Sequence, residues 1–166
     1  MDKNKNTIHN PHDKAFFKSL ENLEVARDAL QAYLPPELLA QVDLTRLKLY
    51  KTKLISPEYK EFDADVIFEA PLIDHTGLFL FHFEQMSTVT INLPLRVWQY
   101  LLLTLMEYHE NHPKEPLPII YTIIIYTGES PYTASTDFFD LFGTRKELAK
   151  HYLLNPIKFC GRVPHE

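Results

Sequence analysis

From His12 to Leu34 the apolar residues Ala15, Phe16, Leu20, Leu23, Ala26, Leu30 and Tyr33 recur at spacings of one, three and four. On a helix of about 3.6 residues per turn they form one apolar stripe, so the spacing predicts a first amphipathic helix. Pro35-Pro36 stops it, and Pro36 suits the first turn of a short helix over ELLAQV. In LTRLKLYKTKLI, from Leu44, apolar and basic positions alternate imperfectly, which predicts a strand with one basic face. SPEYKEFD reads as a loop and ADVIFEAPL as a second strand, stopped by Pro71. Asp74-His75-Thr76-Gly77 is a turn signal, and Leu78 to Gln85 follows as a third strand. The second and third strands are expected to pair as a hairpin.

After Asn92-Leu93-Pro94 the segment LRVWQYLLLTLMEYHEN has the pattern of a helix with a broad buried face, opened near Pro94 and closed before Pro113. Leu117 to Tyr126 is almost continuously apolar and β-branched, as expected of a central strand covered on both faces. Gly128 to Asp140 reads as a loop and Thr144 to Leu154 as a last helix. The order is helix, three strands, helix, strand, helix: an α/β fold whose sheet is flanked by helices. Residues 1–11 are polar and predict a flexible arm, leaving 12–166 as a single domain without repeats.

Length and composition support that division. A chain of 166 residues can bury a core of its own, and 45% hydrophobic with 23% charged residues is ordinary for a globular protein. One cysteine, Cys160, excludes an internal disulfide framework and a Cys-rich zinc site, and suits a reducing compartment. The opening MDKNKNTIHNPH has no apolar segment of the kind a signal peptide needs, and IIYTIIIY is too short to span a bilayer as a helix. The expectation is a cytoplasmic protein. A net charge of −5 gives no global attraction to nucleic acid, although local patches or a metal ion can override a total.

The anomaly is acid within strands. Asp63, Asp65, Ile67 and Glu69 share one face of the second strand by alternation, and Leu78, Leu80, His82, Glu84 and Met86 share one face of the third. A carboxylate inside a buried strand is costly unless it is paired, protonated or bound to a cation. If Asp65 and Glu84 meet across the hairpin, a divalent cation resolves their repulsion, and oxygen-only donors favour Mg2+. The ordinary alternative is a solvated strand face with Glu84 paired to Lys or Arg.

PHDKAFF (Pro11 to Phe17), DADVIF, FHFEQMST, RVWQY (Arg96 to Tyr100) and IIIYTGESPY (Ile123 to Tyr132), in that order, resemble the Rpn family of recombination-promoting nucleases, also grouped with transposases. The resemblance runs from about residue 10 to 140. It implies a restriction-endonuclease-like PD-(D/E)xK core of order αβββαβ, and a Mg2+-dependent DNA endonuclease. Asp65 then corresponds to the metal-binding aspartate of the second strand, and Glu84 to the acid of the E-x-Q motif (E-x-K in the wider superfamily) on the third. Pro11, His12 and Asp13 match the signature at the first helix, where Asp13 could contact the site but better suits a capping role.

One position departs from that pattern. Where the motif carries Gln or Lys, this chain has Met86, whose thioether donates no hydrogen bond. Gln85 has suitable chemistry for positioning water but the opposite strand parity, which a one-residue bulge would correct. Gln99, on the following helix, is another source. The catalytic set is therefore Asp65 and Glu84 as metal ligands with Gln85 positioning water, and DNA as partner. The alternative is a catalytically impaired nuclease fold acting in DNA binding or protein interaction. Self-association is left open.

Other candidates carry less. None of the eight histidines falls in an HExxH or comparable pattern, and His82 reads as a strand histidine rather than a ligand. Cys160 has no histidine partner nearby in sequence to make a catalytic thiol. Lys48, Lys51 and Lys53 could track a phosphate backbone, although strand-edge lysines usually serve solubility. GESPY, with one glycine, is a turn rather than a phosphate cradle. Family members usually continue with further helical sequence, so a chain ending at VPHE is either a fragment, which would lack any part that grips DNA or oligomerises, or a naturally short member.

Overall fold

The computed structural model describes residues 18–51, 66–74 and 78–155. The elements are α1 (Leu23–Tyr33), α2 (Pro36–Leu39), a 3-10 turn (Leu44–Arg46), β1 (Lys48–Lys51), β2 (Val66–Pro71), β3 (Leu78–Met86), α3 (Leu93–Asn111), β4 (Ile119–Tyr126), a 3-10 segment (Phe138–Arg145) and α4 (Lys146–Leu153). The strands form one mixed sheet in the order β1-β2-β3-β4. β1, β2 and β3 are antiparallel in turn, and β3 and β4 are parallel. The expected hairpin is present, with Val66 opposite Phe83 and Pro71 opposite Leu78.

Each face of the sheet is covered by one long helix, and side-chain parity divides the core between them. Val66, Phe68, Ala70, Phe79, Phe81, Phe83 and Ile123 pack against Ala26 and Leu30 of α1. The Arg27 Nε–H donates to the Leu44 carbonyl at 3.0 Å, tying α1 to the 3-10 turn. Ile67, Leu80 and His82, of opposite parity, are also fully buried, and they lie on the α3 side, where the Tyr100 ring stacks on His82. A chain that leaves β3 and returns as parallel β4 must run its connecting helix backwards. The first turn of α3 therefore stands over the C-terminal ends of β3 and β4.

Several expectations change. The first helix is not continuous: residues 18–20 are helical, Glu21-Asn22 turns, and the Asn22 side chain accepts from the Glu24 N–H at 2.9 Å to start α1 afresh. A good N-cap in mid-pattern outweighs the continuity of the apolar stripe. The strand expected from Leu44 begins at Lys48, because Asp43 caps a 3-10 turn by accepting from the Thr45 N–H. Its pairing to β2 slips between Leu49 and Lys51, which accounts for the imperfect alternation. β4 is an edge, not a central strand, among the described strands, and most of its residues are only half-buried. Part of the loop expected over 128–140 and the start of the last helix form the 3-10 segment, which kinks at Gly143 with φ 57° before α4 begins at Lys146. Among the described residues no helix is long and apolar enough to cross a membrane.

Candidate functional site at the ends of the parallel strands

β3 and β4 run in register from Phe79 opposite Ile119 to Met86 opposite Tyr126, one residue for one. No bulge intervenes at Gln85, so the backbone rotation that would swing it to the parity of Glu84 is absent. Of the expected site residues, Glu84 and Gln85 lie in β3 opposite Ile124 and Ile125, and their side chains are outside the described set. Asp65, Pro11, His12, Asp13, Lys53 and Cys160 lie outside the described residues altogether. Met86 is 8% exposed, a buried thioether at the end of the strand. Gln99 is exposed, and Lys48 is exposed opposite Glu69 on the far edge of the sheet. Among the described residues no three His, Cys, Asp or Glu side chains gather as a metal cage.

The strand ends are closed by a set of aromatic side chains. The Thr127 N–H donates to the Met86 carbonyl at 2.9 Å, carrying the β3–β4 pairing one step into the loop. The Tyr126 phenol folds back over Gly128, and the Ser87 carbonyl abuts the same glycine. Tyr132 stands edge-on to Tyr126 with centroids 5.4 Å apart, and its hydroxyl donates to the Thr90 carbonyl at 3.1 Å. TGESPY is thus clasped to the β3–α3 loop. Burial raises the Tyr132 pKa above the usual phenol range, opposed by the Arg96 guanidinium nearby and assisted by Tyr126.

Arg96 and Tyr100 come from successive turns of α3. Tyr100 lies flat on His82, centroids 4.0 Å apart and planes 13° from parallel. His82 is fully buried, as a strand histidine rather than an open ligand. Arg96, one turn before Tyr100, is half-buried with its Nε enclosed, and its charge acts on the Tyr132 phenol. Spacing of i and i+4 in RVWQY was the available signal for these two, whereas the clasp by Tyr126, Gly128 and Tyr132 has no local signature beyond a turn. At the opposite end of α3, Tyr108 donates to Glu115 at 2.8 Å, and burial with that bond pushes its pKa up to about 12.

The class is a mixed α/β domain organised around a β3–α3–β4 crossover, with the candidate site where both parallel strands end. The sequence matches the family described as "Putative transposase, YhgA-like" over residues 10–159, and the chain belongs to that family. It is 31% identical over 147 residues to Recombination-promoting nuclease RpnC of Escherichia coli strain K12, covering 88% of this chain and 48% of that protein. It is 26% identical over 147 residues to Recombination-promoting nuclease RpnD of Escherichia coli O157:H7, covering 88% of this chain and 56% of that protein. A third relative, from strain K12 and called "Putative inactive recombination-promoting nuclease-like protein YjiP", is 26% identical over 94 residues, 57% of this chain and 91% of that protein. The chain spans about half the length of the two nucleases. No solved structure matches it.

Proposed function

We propose that this chain is a Mg2+-dependent DNA endonuclease domain that hydrolyses phosphodiester bonds in recombination, on a PD-(D/E)xK-type core. The observation that carries the reading is the β2–β3 register. Val66 is opposite Phe83, and the next residues outward along the two chains are Asp65 and Glu84. That order suits a shared carboxylate site at the mouth formed by the strand ends. The relatives called recombination-promoting nucleases supply the reaction class.

The donor chemistry fits the cation: two carboxylates are hard oxygen ligands, and Mg2+ takes one or two such groups while keeping several waters. Bound there, it would favour a water-derived nucleophile and neutralise charge on a phosphoryl oxygen. Asp65 and Glu84 would hold it. Gln85 would orient water only by reaching the site from the adjacent position of an unbulged strand, which makes it the lesser member of the set.

Cleavage of supercoiled plasmid with Mg2+ tests the reading. Wild-type protein should nick, and Asp65→Ala and Glu84→Ala should each slow nicking by about 100-fold or more. Equal nicking by all three would sink the assignment.

The second reading is a catalytically impaired module that binds DNA or protein. Met86, buried where the family motif carries an amide or amine, favours it. Metal-dependent nicking by Met86→Gln or Met86→Lys, from a silent parent that binds DNA, would support this reading. A fully active parent would reject it.

A further inference from the structure

Met86 leaves the end of β3 without a polar or cationic side chain at a position where a nuclease centre needs one. We propose that Arg96, delivered from the first turns of α3, is the phosphate-binding residue of this site and contacts the non-bridging oxygens of the scissile phosphodiester. The inference rests on the endonuclease reading for the word scissile, and on the fold for the position.

Two contacts bracket that position. Below it, Tyr100 stacks on His82 at 4.0 Å, fixing one turn of α3 over the middle of β3. Arg96 is four residues earlier, about 6 Å along a helix that runs antiparallel to β3. Two strand residues also advance about 6.6 Å, so that turn stands at the level of Glu84. Above it, Tyr126 is opposite Met86, Tyr132 packs on Tyr126, and Arg96 acts electrostatically on Tyr132. Arg96 therefore lies between the levels of His82 and Met86, where Glu84 sits in the strand.

Chemistry supports the same assignment. A guanidinium keeps its charge when half-buried and presents a planar fork of donors that matches phosphate oxygens, which a thioether cannot do. With the chain at −5 overall, attraction of a polyanion must come from local cations. Lys48, on the opposite edge of the sheet, is too remote to serve the strand ends. A cation carried on the following helix would thus complete a centre whose strand motif is incomplete.

The test compares wild type with Arg96→Gln, Arg96→Met and Arg96→Lys. Arg96→Met keeps an aliphatic stem at this half-buried position, and thermal melts identify any variant that fails to fold. Binding of a short duplex is followed by fluorescence anisotropy in EDTA across a salt series, and nicking is followed in Mg2+. The charge-removing variants should lower the salt slope by about one and slow nicking at saturating DNA by about 10-fold or more. Arg96→Lys should recover part of both. An unchanged slope and rate in folded Arg96→Gln or Arg96→Met overturns the inference while leaving the endonuclease reading intact. A changed slope with an unchanged rate places Arg96 off the scissile phosphate and overturns it equally. If wild type and Asp65→Ala nick alike, the endonuclease reading itself fails, an outcome distinct from failure of the Arg96 variants to differ from wild type.

Discussion

Gly128 has no room for a side chain. A Cβ there would lie 2.6 Å from the Ser87 carbonyl oxygen and closer still to the Tyr126 phenol, so the loop after β4 can be held this tightly only around a glycine. Replacing it forces backbone or ring to move, at about 1–3 kcal/mol for an overpacked site. Gly128→Ala should therefore lower the denaturant midpoint, with an unchanged slope, and lengthen the Tyr132–Thr90 contact; a midpoint equal to wild type would show that the clasp is slack. The turn itself was legible from Gly and Pro in TGESPY. The clasp was not, because it joins Tyr126 and Tyr132 to Ser87 and Thr90, some 40 positions apart in sequence. His82 is similar: its strand face follows from alternation, but the ring lying flat on it comes from a helix whose register over the sheet no local pattern sets.

Elements whose ends are set by local chemistry were the easiest to foresee. α2 starts at Pro36, α3 has Pro94 in its first turn, and β2 ends at Pro71, as the proline positions require. Where two local signals compete, the stronger one decides. The Asn22 side chain caps α1 and interrupts a stripe that continues through it. Asn22→Ala should remove about 1 kcal/mol of stability, measured by urea unfolding, and should raise amide exchange at Glu24. An unaltered midpoint would mean that packing of Ala26 and Leu30 alone holds the helix start. The strand ending at Tyr126 shows the limit of composition. Its apolar run predicted cover on both faces, yet Ile119 is 54% exposed and the strand is an edge among those described. An apolar run records what can be buried, not what is available to bury it. α3 makes the same point, since Leu95, Leu102 and Met106 line the side away from the sheet and are exposed.

Across the whole molecule, the C-terminal segment is joined to the rest by aromatic packing and held internally by an ion cluster. Phe138 meets Trp98 of α3 with centroids 5.2 Å apart, and Lys146 bonds to both Asp137, at 2.8 Å, and Asp140. Lys146 lowers both carboxyl pKa values below the usual 3.8, and they in turn raise its own above 10.5. A depressed carboxyl stabilises the fold above its unfolded value and loses that contribution as pH falls through the folded one. A raised lysine contributes below its unfolded value and loses it as pH rises through the folded one. The cluster is thus intact from about pH 4 to 10. Acidification below about pH 4 should lower amide protection in 138–153 before it does so in the sheet, and Asp140→Asn, which removes one of the two paired carboxylates, should lower that protection already at neutral pH and shrink its further loss in acid; simultaneous loosening of both segments would refute the local role. The sequence by itself determined the element order, the strand faces and the family, because periodicity, prolines and ordered motifs act over a few residues. It also placed Asp65 and Glu84 as candidates and exposed the anomaly at Met86. Only the tertiary structure decided that β4 is parallel to β3 at a described edge, that no bulge turns Gln85, and that α3 sets Arg96 at the level of Glu84. Those outcomes depend on how a helix docks on a sheet, which is fixed by contacts between residues far apart in the chain.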